Sequence, residues 1–259
     1  MDYSNELHAA LKVAADAGRI AMGYFHSVTD TEEKSDESPV TIADRECESF
    51  IASALANLYP DDGIVGEEGT SKPTRSGRRW LIDPIDGTRD FVRRTTFWAV
   101  QIALEVGDTV VVGVIHFPAL NETAYAARRL GAWADGQRLR VSEVTRLDKA
   151  VLMVSGFKNA WEAWPPESIR YLTEQCWTVR AHSGCYDVAL LARGKADIWL
   201  SGSGVAWDYA PARILAEEAG AVFLTRSGGN SIYQNHCVIV VPPLEAEIRR
   251  ILGIHGGRS

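Results

Sequence analysis

From Ala150 to Leu252, short apolar runs alternate with stretches whose apolar residues recur every three or four positions. That rhythm restricts the chain to stacked α/β layers, because alternating strands and helices must bury their apolar faces against one another. It predicts strands at 150–155, 177–181, 196–200, 221–225 and 237–241, and helices at 166–175, 185–193, 207–219 and 243–252. The first half has a different texture. Leu7, Leu11, Ala14, Ala17/Gly18, Ala21/Met22 and Phe25 mark an amphipathic helix ending near His26. A polar stretch at 27–38 precedes a second helix, capped by Thr41 and stopped by Tyr59-Pro60-Asp61-Asp62-Gly63. Strands at 64–65, 80–82, 96–106 and 109–117 follow, the last two joined by Gly107-Asp108, with further strand-like pieces near 122–127 and 138–142.

A chain of 259 residues that is 46% hydrophobic can bury a substantial core, as one large domain or two intimate lobes. Its formal charge of −7 comes from 34 acids against 27 scattered bases, which disfavours nucleic acid as a partner. Cys47, Cys176, Cys185 and Cys237 form no C-x-x-C pair, so structural zinc and disulfides both read poorly. Acids at Asp2 and Glu6 and the absence of an apolar leader argue against export, and the longest apolar run, Val110 to Phe117, is too short to span a bilayer. A soluble cytoplasmic protein with no membrane partner is expected.

Carboxylates recur at the ends of apolar strands and at helix starts: Glu67/Glu68, then Asp83 with Asp86, then Asp208 after Trp207. Taken singly, each has an ordinary explanation as a capped loop, a solvated turn or a helix cap. Together in a partly buried pocket they would repel one another and protonate unless a cation held them. In Asp83-Pro84-Ile85-Asp86-Gly87-Thr88 the proline stiffens the chain and the glycine permits a sharp fold, which can aim the Asp83 carboxylate, the Ile85 carbonyl and the Asp86 carboxylate into one volume. These are hard oxygen donors suited to Mg²⁺. Thr88 then starts a helix whose free N–H groups favour a phosphate nearby. An EF-hand beginning at Asp83 would need glutamate where Arg94 stands, an aspartyl-phosphate loop would space its acids differently, and no P-loop is present.

Gly66-Glu67-Glu68, Asp83-Pro-Ile-Asp-Gly-Thr88 and Trp207-Asp208 resemble, in order and separation, the three signatures of the inositol monophosphatase family of Mg²⁺-dependent, lithium-sensitive phosphatases; Ser38-Pro-Val-Thr-Ile-Ala-Asp44 and Ala216-Glu-Glu-Ala-Gly220 extend the similarity. The resemblance implies alternating layers of helices and mixed β-sheets, with an N-terminal lobe at 1–147 and a C-terminal lobe at 148–259 that contributes Asp208. It implies two or three Mg²⁺ ions on Glu67, Asp83, the Ile85 carbonyl, Asp86 and Asp208. It also implies a substrate phosphate on the Gly87 and Thr88 amides, and an attacking water oriented by Glu67, Thr88 and Asp44. A small phosphomonoester is the expected substrate and a homodimer the expected assembly.

Family members differ in what carries the phosphate: inositol, histidinol, sugar bisphosphates or 3′-phosphoadenosine nucleotides. Phe91-Val-Arg-Arg-Thr-Thr-Phe-Trp98 and Trp177-Thr-Val-Arg-Ala181 look most like bacterial histidinol-phosphatase members. Inositol- and histidinol-processing relatives carry an acid near the position of Ser201, and histidinol-type relatives another near Gly184; this chain has neither, which leaves Asp187 as the nearby alternative. Ser183, Gly184, Cys185, Ser201 and Ser203 are the expected selecting rim, with His182 close by. Trp161, Trp164 and Pro165-Pro166 form an aromatic cluster expected in the core, with a cover over the site or a dimer contact as the alternatives. Arg75, Arg78 and Arg79 are expected in a solvated loop or a lid. A non-catalytic metabolite-binding protein on the same fold is the rival from another class.

Overall fold

The computed structural model describes residues 2–26, 31–33 and 39–256, so most of the polar stretch at 27–38 lies outside the described residues. The chain opens with α1 (Ser4–Phe25), a ribbon of β1 (Thr31–Glu33) antiparallel to β2 (Pro39–Thr41), and α2 (Ile42–Leu58). Next come β3 (Gly63–Gly66), β4 (Ser71–Lys72), β5 (Arg78–Asp86), α3 (Thr88–Arg93), β6 (Ala99–Val106), β7 (Thr109–Phe117), β8 (Glu122–Ala127), β9 (Gly131–Ala134) and β10 (Gln137–Arg138). The second half runs β11 (Val151–Ser155), α4 (Phe157–Ala163), α5 (Pro166–Gln175), β12 (Thr178–Arg180), α6 (Gly184–Ala192), β13 (Ile198–Ser201), α7 (Ala206–Ala219), β14 (Val222–Leu224), β15 (Cys237–Val240) and α8 (Glu245–Leu252).

Among the described residues the strands beyond that ribbon form two mixed sheets. The larger has the order β10-β9-β8-β7-β6-β5-β3-β4, antiparallel except where β3 lies parallel to β5. The smaller has the order β12-β11-β13-β15-β14, with β11 parallel to both β12 and β13. The side-chain alternation of each strand sorts the core into layers. Trp80, Ile82, Ile102 and Leu104 pack against Val13, Ala14, Ile51 and Leu55 of α1 and α2. From the opposite face, Leu81, Ala99, Ala103 and Ile115 meet Val188, Leu191, Ile214 and Leu215 of α6 and α7, which also bury Met153, Trp199 and Ile239 of the smaller sheet. That sheet's outer face, Leu152, Val154, Ile198 and Val238, is covered by Trp164, Ile169, Leu172 and Ile248. The order is helix, sheet, helix, sheet, helix. It explains why β5 to β7 read as continuous apolar runs, since both of their faces are covered.

Three expectations from sequence change. The acidic stretch at 83–88 is not a turn along its length: β5 continues to Asp86, with a register shift between Asp83 and Asp86 where Pro84 has no N–H to give the ladder. Residues 139–142 extend no strand beyond β10. Helix α4 went unseen because Phe157-Lys-Asn-Ala-Trp-Glu-Ala163 offers one buried side chain, Ala160, and hence no periodic stripe.

The position of Asp208 depends on how closely α7 approaches the larger sheet. At Gly113 on β7 an added Cβ would lie 2.3 Å from Ile214 Cγ2 and 2.9 Å from Pro211 Cα, so the helix rests on bare backbone there. Gly113→Ala is expected to destabilise the protein by about 1–3 kcal/mol through overpacking and to weaken cation binding at the site. Thermal unfolding and calorimetric titration of the variant check both effects.

Candidate active site

Helix α2 is anchored by a reciprocal cap: Asp44 Oδ2 accepts from the Thr41 amide (2.8 Å) and hydroxyl (2.6 Å), and Thr41 Oγ1 accepts from the Ala43 amide (3.2 Å). One turn later Glu48, also buried, reaches the end of β3. Its Oε2 accepts from the Glu68 amide (2.7 Å) and its Oε1 from the Thr70 amide (2.8 Å). A Cβ at Gly66 would lie 2.4 Å from the Glu48 carboxyl carbon, so glycine there lets the helix clamp the turn that carries Glu67. Sequence reading passed over Glu48; the available signal was a second acid four residues after Asp44, on the buried face of the same helix.

At the register shift in β5, Asp83 Oδ1 accepts from the Ile85 amide at 3.1 Å. Gly87 turns the chain in the left-handed region, φ +86°, and a Cβ there would meet the Phe97 carbonyl at 3.1 Å. Thr88, the first residue of α3, donates its hydroxyl to the Ile85 carbonyl at 3.2 Å. From the other half of the chain α7 brings Asp208, whose Oδ2 accepts from the Val205 amide at 2.8 Å. Asp208 is thus a helix cap and a wall of the site at once.

Asp83, Asp86 and Asp208 each place a carboxylate oxygen within 4.8 Å of the others. Glu67 lies outside this trio but lines the same cavity and adds repulsion to Asp83. Burial, joined by the Glu67, Asp86 and Asp208 carboxylates, raises the Asp83 pKa well above its usual range. Burial also pushes Asp86 up to about 6, against the opposing hydrogen bonds of Cys185, and pushes Asp208 up to about 8, with Asp86 adding to it. Asp44 is raised by burial too, with Glu67 contributing and the Thr41 bonds opposing. Among the described residues Asp86 Oδ2 and Asp44 Oδ1 are buried without a hydrogen-bond partner. Acceptor-only oxygens crowded together, Asp86 Oδ2 among them unmet, are what a hard divalent cation satisfies. The residues present therefore fit such an ion.

The cavity around them holds about 470 Å³. Glu67, Asp83, Ile85, Asp86, Gly87, Thr88 and Asp208 all line it, and so do the expected rim residues Ser183, Gly184, Cys185, Ser201 and Ser203. Asp44 is not part of the lining but is near enough to Glu67 for the two carboxylates to repel. Ser201 Oγ lies 3.0 Å from the Tyr209 hydroxyl, and Ser183 Oγ lies 3.1 Å from Cys185 Sγ. Asp187 is no substitute for the missing rim acids: it is fully buried, 2.8 Å from His182 Nδ1, and neither residue lines the cavity. Helical geometry explains this, since Asp187 falls on the face of α6 turned to the core. Arg78 and Arg79 belong to β5 rather than to a solvated loop or lid, paired with Glu6 and Asp62 and with Glu105 respectively. Ser155, Trp199, Tyr209 and Gln101 also line the cavity and were not foreseen. Gln101 alone left a trace, as the one amide inside the apolar run Ala99-Val-Gln-Ile-Ala-Leu104.

Comparison with known proteins agrees with this geometry. A sequence profile of the inositol monophosphatase family matches residues 2–253. A histidinol-phosphatase of Chlorobaculum parvum is 35% identical over 228 residues, covering 88% of each chain. A histidinol-phosphatase of Mycobacterium tuberculosis is 38% identical, covering 86% of this chain and 88% of its own. Among solved structures, an IMPase from Thermotoga maritima superposes with a TM-score of 0.87 at 27% identity, covering 96% of this chain and 97% of that one. By its sequence, its layered fold and the acids gathered in its central cavity, the chain is a member of the inositol monophosphatase family.

Proposed function

We propose that the protein is a Mg²⁺-dependent phosphomonoesterase that hydrolyses a small phosphorylated metabolite of the inositol monophosphate or histidinol phosphate class. The observation that carries this reading is the meeting of Asp83, Asp86 and Asp208 within 4.8 Å at the floor of a cavity large enough for a small phosphate ester. Membership of the family and the histidinol-phosphatase relatives support the reaction class.

In this reading Glu67, Asp83, the Ile85 carbonyl, Asp86 and Asp208 hold two or three Mg²⁺ ions. Bound there, Mg²⁺ supplies charge neutralisation, a lowered pKa for the attacking water and stabilisation of the leaving oxygen. The chain's own groups orient the reactants. Gly87 and Thr88 offer backbone amides to the substrate phosphate at the start of α3. Thr88, with its hydroxyl fixed on the Ile85 carbonyl, and Glu67 hold the water in line, while Asp44 supports them through its unmet oxygen. Ser183, Gly184 and Ser201 meet the leaving group. Asp86 and Asp208 touch substrate as well as cation, residues 148–259 contributing Asp208 and residues 1–147 the other ligands. The family resemblance further supports lithium inhibition and a cytoplasmic homodimer; among the described residues no helix is long and apolar enough to cross a membrane.

Asp83→Asn and Asp208→Asn are expected to lower turnover by several orders of magnitude in a phosphate-release assay over inositol phosphates and histidinol phosphate. Asp208→Asn should keep the wild-type fold, because the amide oxygen can still accept the Val205 N–H. Normal turnover in either variant would refute the assignment.

The raised carboxylates give the metal-free protein a pH signature. Asp86 and Asp208 hold protons in the fold that they lose near pH 4 when unfolded, so their contribution to stability is full below about pH 4 and is lost as pH rises through about 6 and about 8. Cation binding must displace those protons at low pH. The rise in melting temperature on adding Mg²⁺ is therefore expected to be larger at pH 8.5 than at pH 5.5. A Mg²⁺ effect that shrinks with pH would contradict the electrostatics of the site.

A further inference from the structure

The acid trio does not account for every unmet group in the cavity. Gln101 on β6 is 1% exposed and is among the residues that line the cavity. Its side-chain oxygen Oε1 is buried and, among the described residues, has no hydrogen-bond partner. Gln101 stands directly opposite Asp83 in the β5–β6 ladder, on the sheet face that also carries Leu81, Ala99 and Ala103. Side chains opposed in this way in an antiparallel pair have Cβ atoms about 4.5–5.5 Å apart, so the carboxamide borders the Asp83 carboxylate.

Among the described residues nothing hydrogen-bonds that oxygen. Asp83, Asp86 and Asp208 are acceptors when ionised. Three of the donors that share the cavity are engaged elsewhere, Trp199 Nε1 with Ser155 Oγ (2.9 Å), the Tyr209 hydroxyl with Ser201 Oγ (3.0 Å) and the Thr88 hydroxyl with the Ile85 carbonyl (3.2 Å), and the lining's Arg89, Trp207 and serine donors make no hydrogen bond to Gln101 Oε1. If position 101 served packing alone, an apolar side chain of similar shape would suit the site better, because a buried acceptor left unpaired costs stability. Amide carbonyls are ordinary ligands of hard cations, and a neutral one adds an oxygen to a crowded acidic site without adding charge.

We propose that Gln101 is a further cation-holding residue, its side-chain carbonyl supplying a neutral oxygen to the ion gathered by Asp83. This rests on the metal-dependent reading of the acid trio, and its test separates the two. Mg²⁺ is titrated calorimetrically into metal-free wild type, Gln101→Leu, Gln101→Glu and Asp83→Asn, and the melting temperature of each is measured without metal. Gln101→Leu is expected to bind Mg²⁺ at least about tenfold more weakly while melting, without metal, at or above the wild-type temperature. Gln101→Glu should keep wild-type affinity or exceed it, and should melt lower without metal because it adds a charge to the cluster. Wild-type Mg²⁺ affinity in a stabilised Gln101→Leu would overturn the proposal and leave Gln101 as packing. If Gln101→Leu does not fold, Gln101→Glu decides: retained affinity supports the proposal and lost affinity overturns it. Undiminished affinity in Asp83→Asn would instead show that the trio is not the cation site, and the role of Gln101 would fall with it.

Discussion

The structure turns on a repulsion. Asp83 and Asp86 at the end of β5 and Asp208 at the start of α7 come from opposite halves of the chain and are pressed together where burial raises the cost of their charge. Such a contact does not assemble by its own attraction. It is imposed by apolar packing on either side: Leu81, Ala99 and Ala103 under Ile214 and Leu215, with Gly113 letting the helix settle onto the sheet. The core thus acts as a clamp that holds like charges at a separation they would otherwise avoid. A divalent cation relieves the clamp, which makes ion binding and folding parts of one balance.

Around this centre, polar side chains serve two masters. Asp208 caps α7 and also brings a carboxylate oxygen within 4.8 Å of those of Asp83 and Asp86. Asp44 closes the cap of α2 with Oδ2 and leaves Oδ1 buried without a hydrogen-bond partner among the described residues. Glu48 spends both oxygens on the backbone of the Glu67 turn and none on the cavity. Each placement fixes a carboxylate in or near the cavity by the local geometry of a helix start or strand end. The positions are accordingly more rigid than long side chains on a loop would allow.

Much of this was legible in sequence, and the parts that were not share a cause. The signatures around Glu67, Asp83 and Asp208 stood out because acids at the ends of apolar runs violate the usual patterning. The layered architecture followed from the alternation after Ala150. Glu48 was passed over because an acid in a helix reads as solvated, although its spacing of four residues from Asp44 places the two on one helix face. Asp187 misled for the converse reason, since nearness in sequence to Gly184 said nothing of its side chain turning to the core and pairing with His182. The continuation of β5 through Pro84 to Asp86 was hidden because proline ordinarily breaks a central strand, and the register shift that accommodates it is a tertiary event.

The helical layer between the two sheets bears on how the molecule is made. The face of the larger sheet bearing Leu81, Ala103, Val110 and Ile115 is completed by residue 139, yet the residues that cover it, Val188 to Ile214, lie well downstream. A growing chain emerging from the ribosome therefore displays a broad oily surface for the time needed to synthesise those later segments. Holdase chaperones would find their natural client in that half-made intermediate, and truncation after β10 would strand it there.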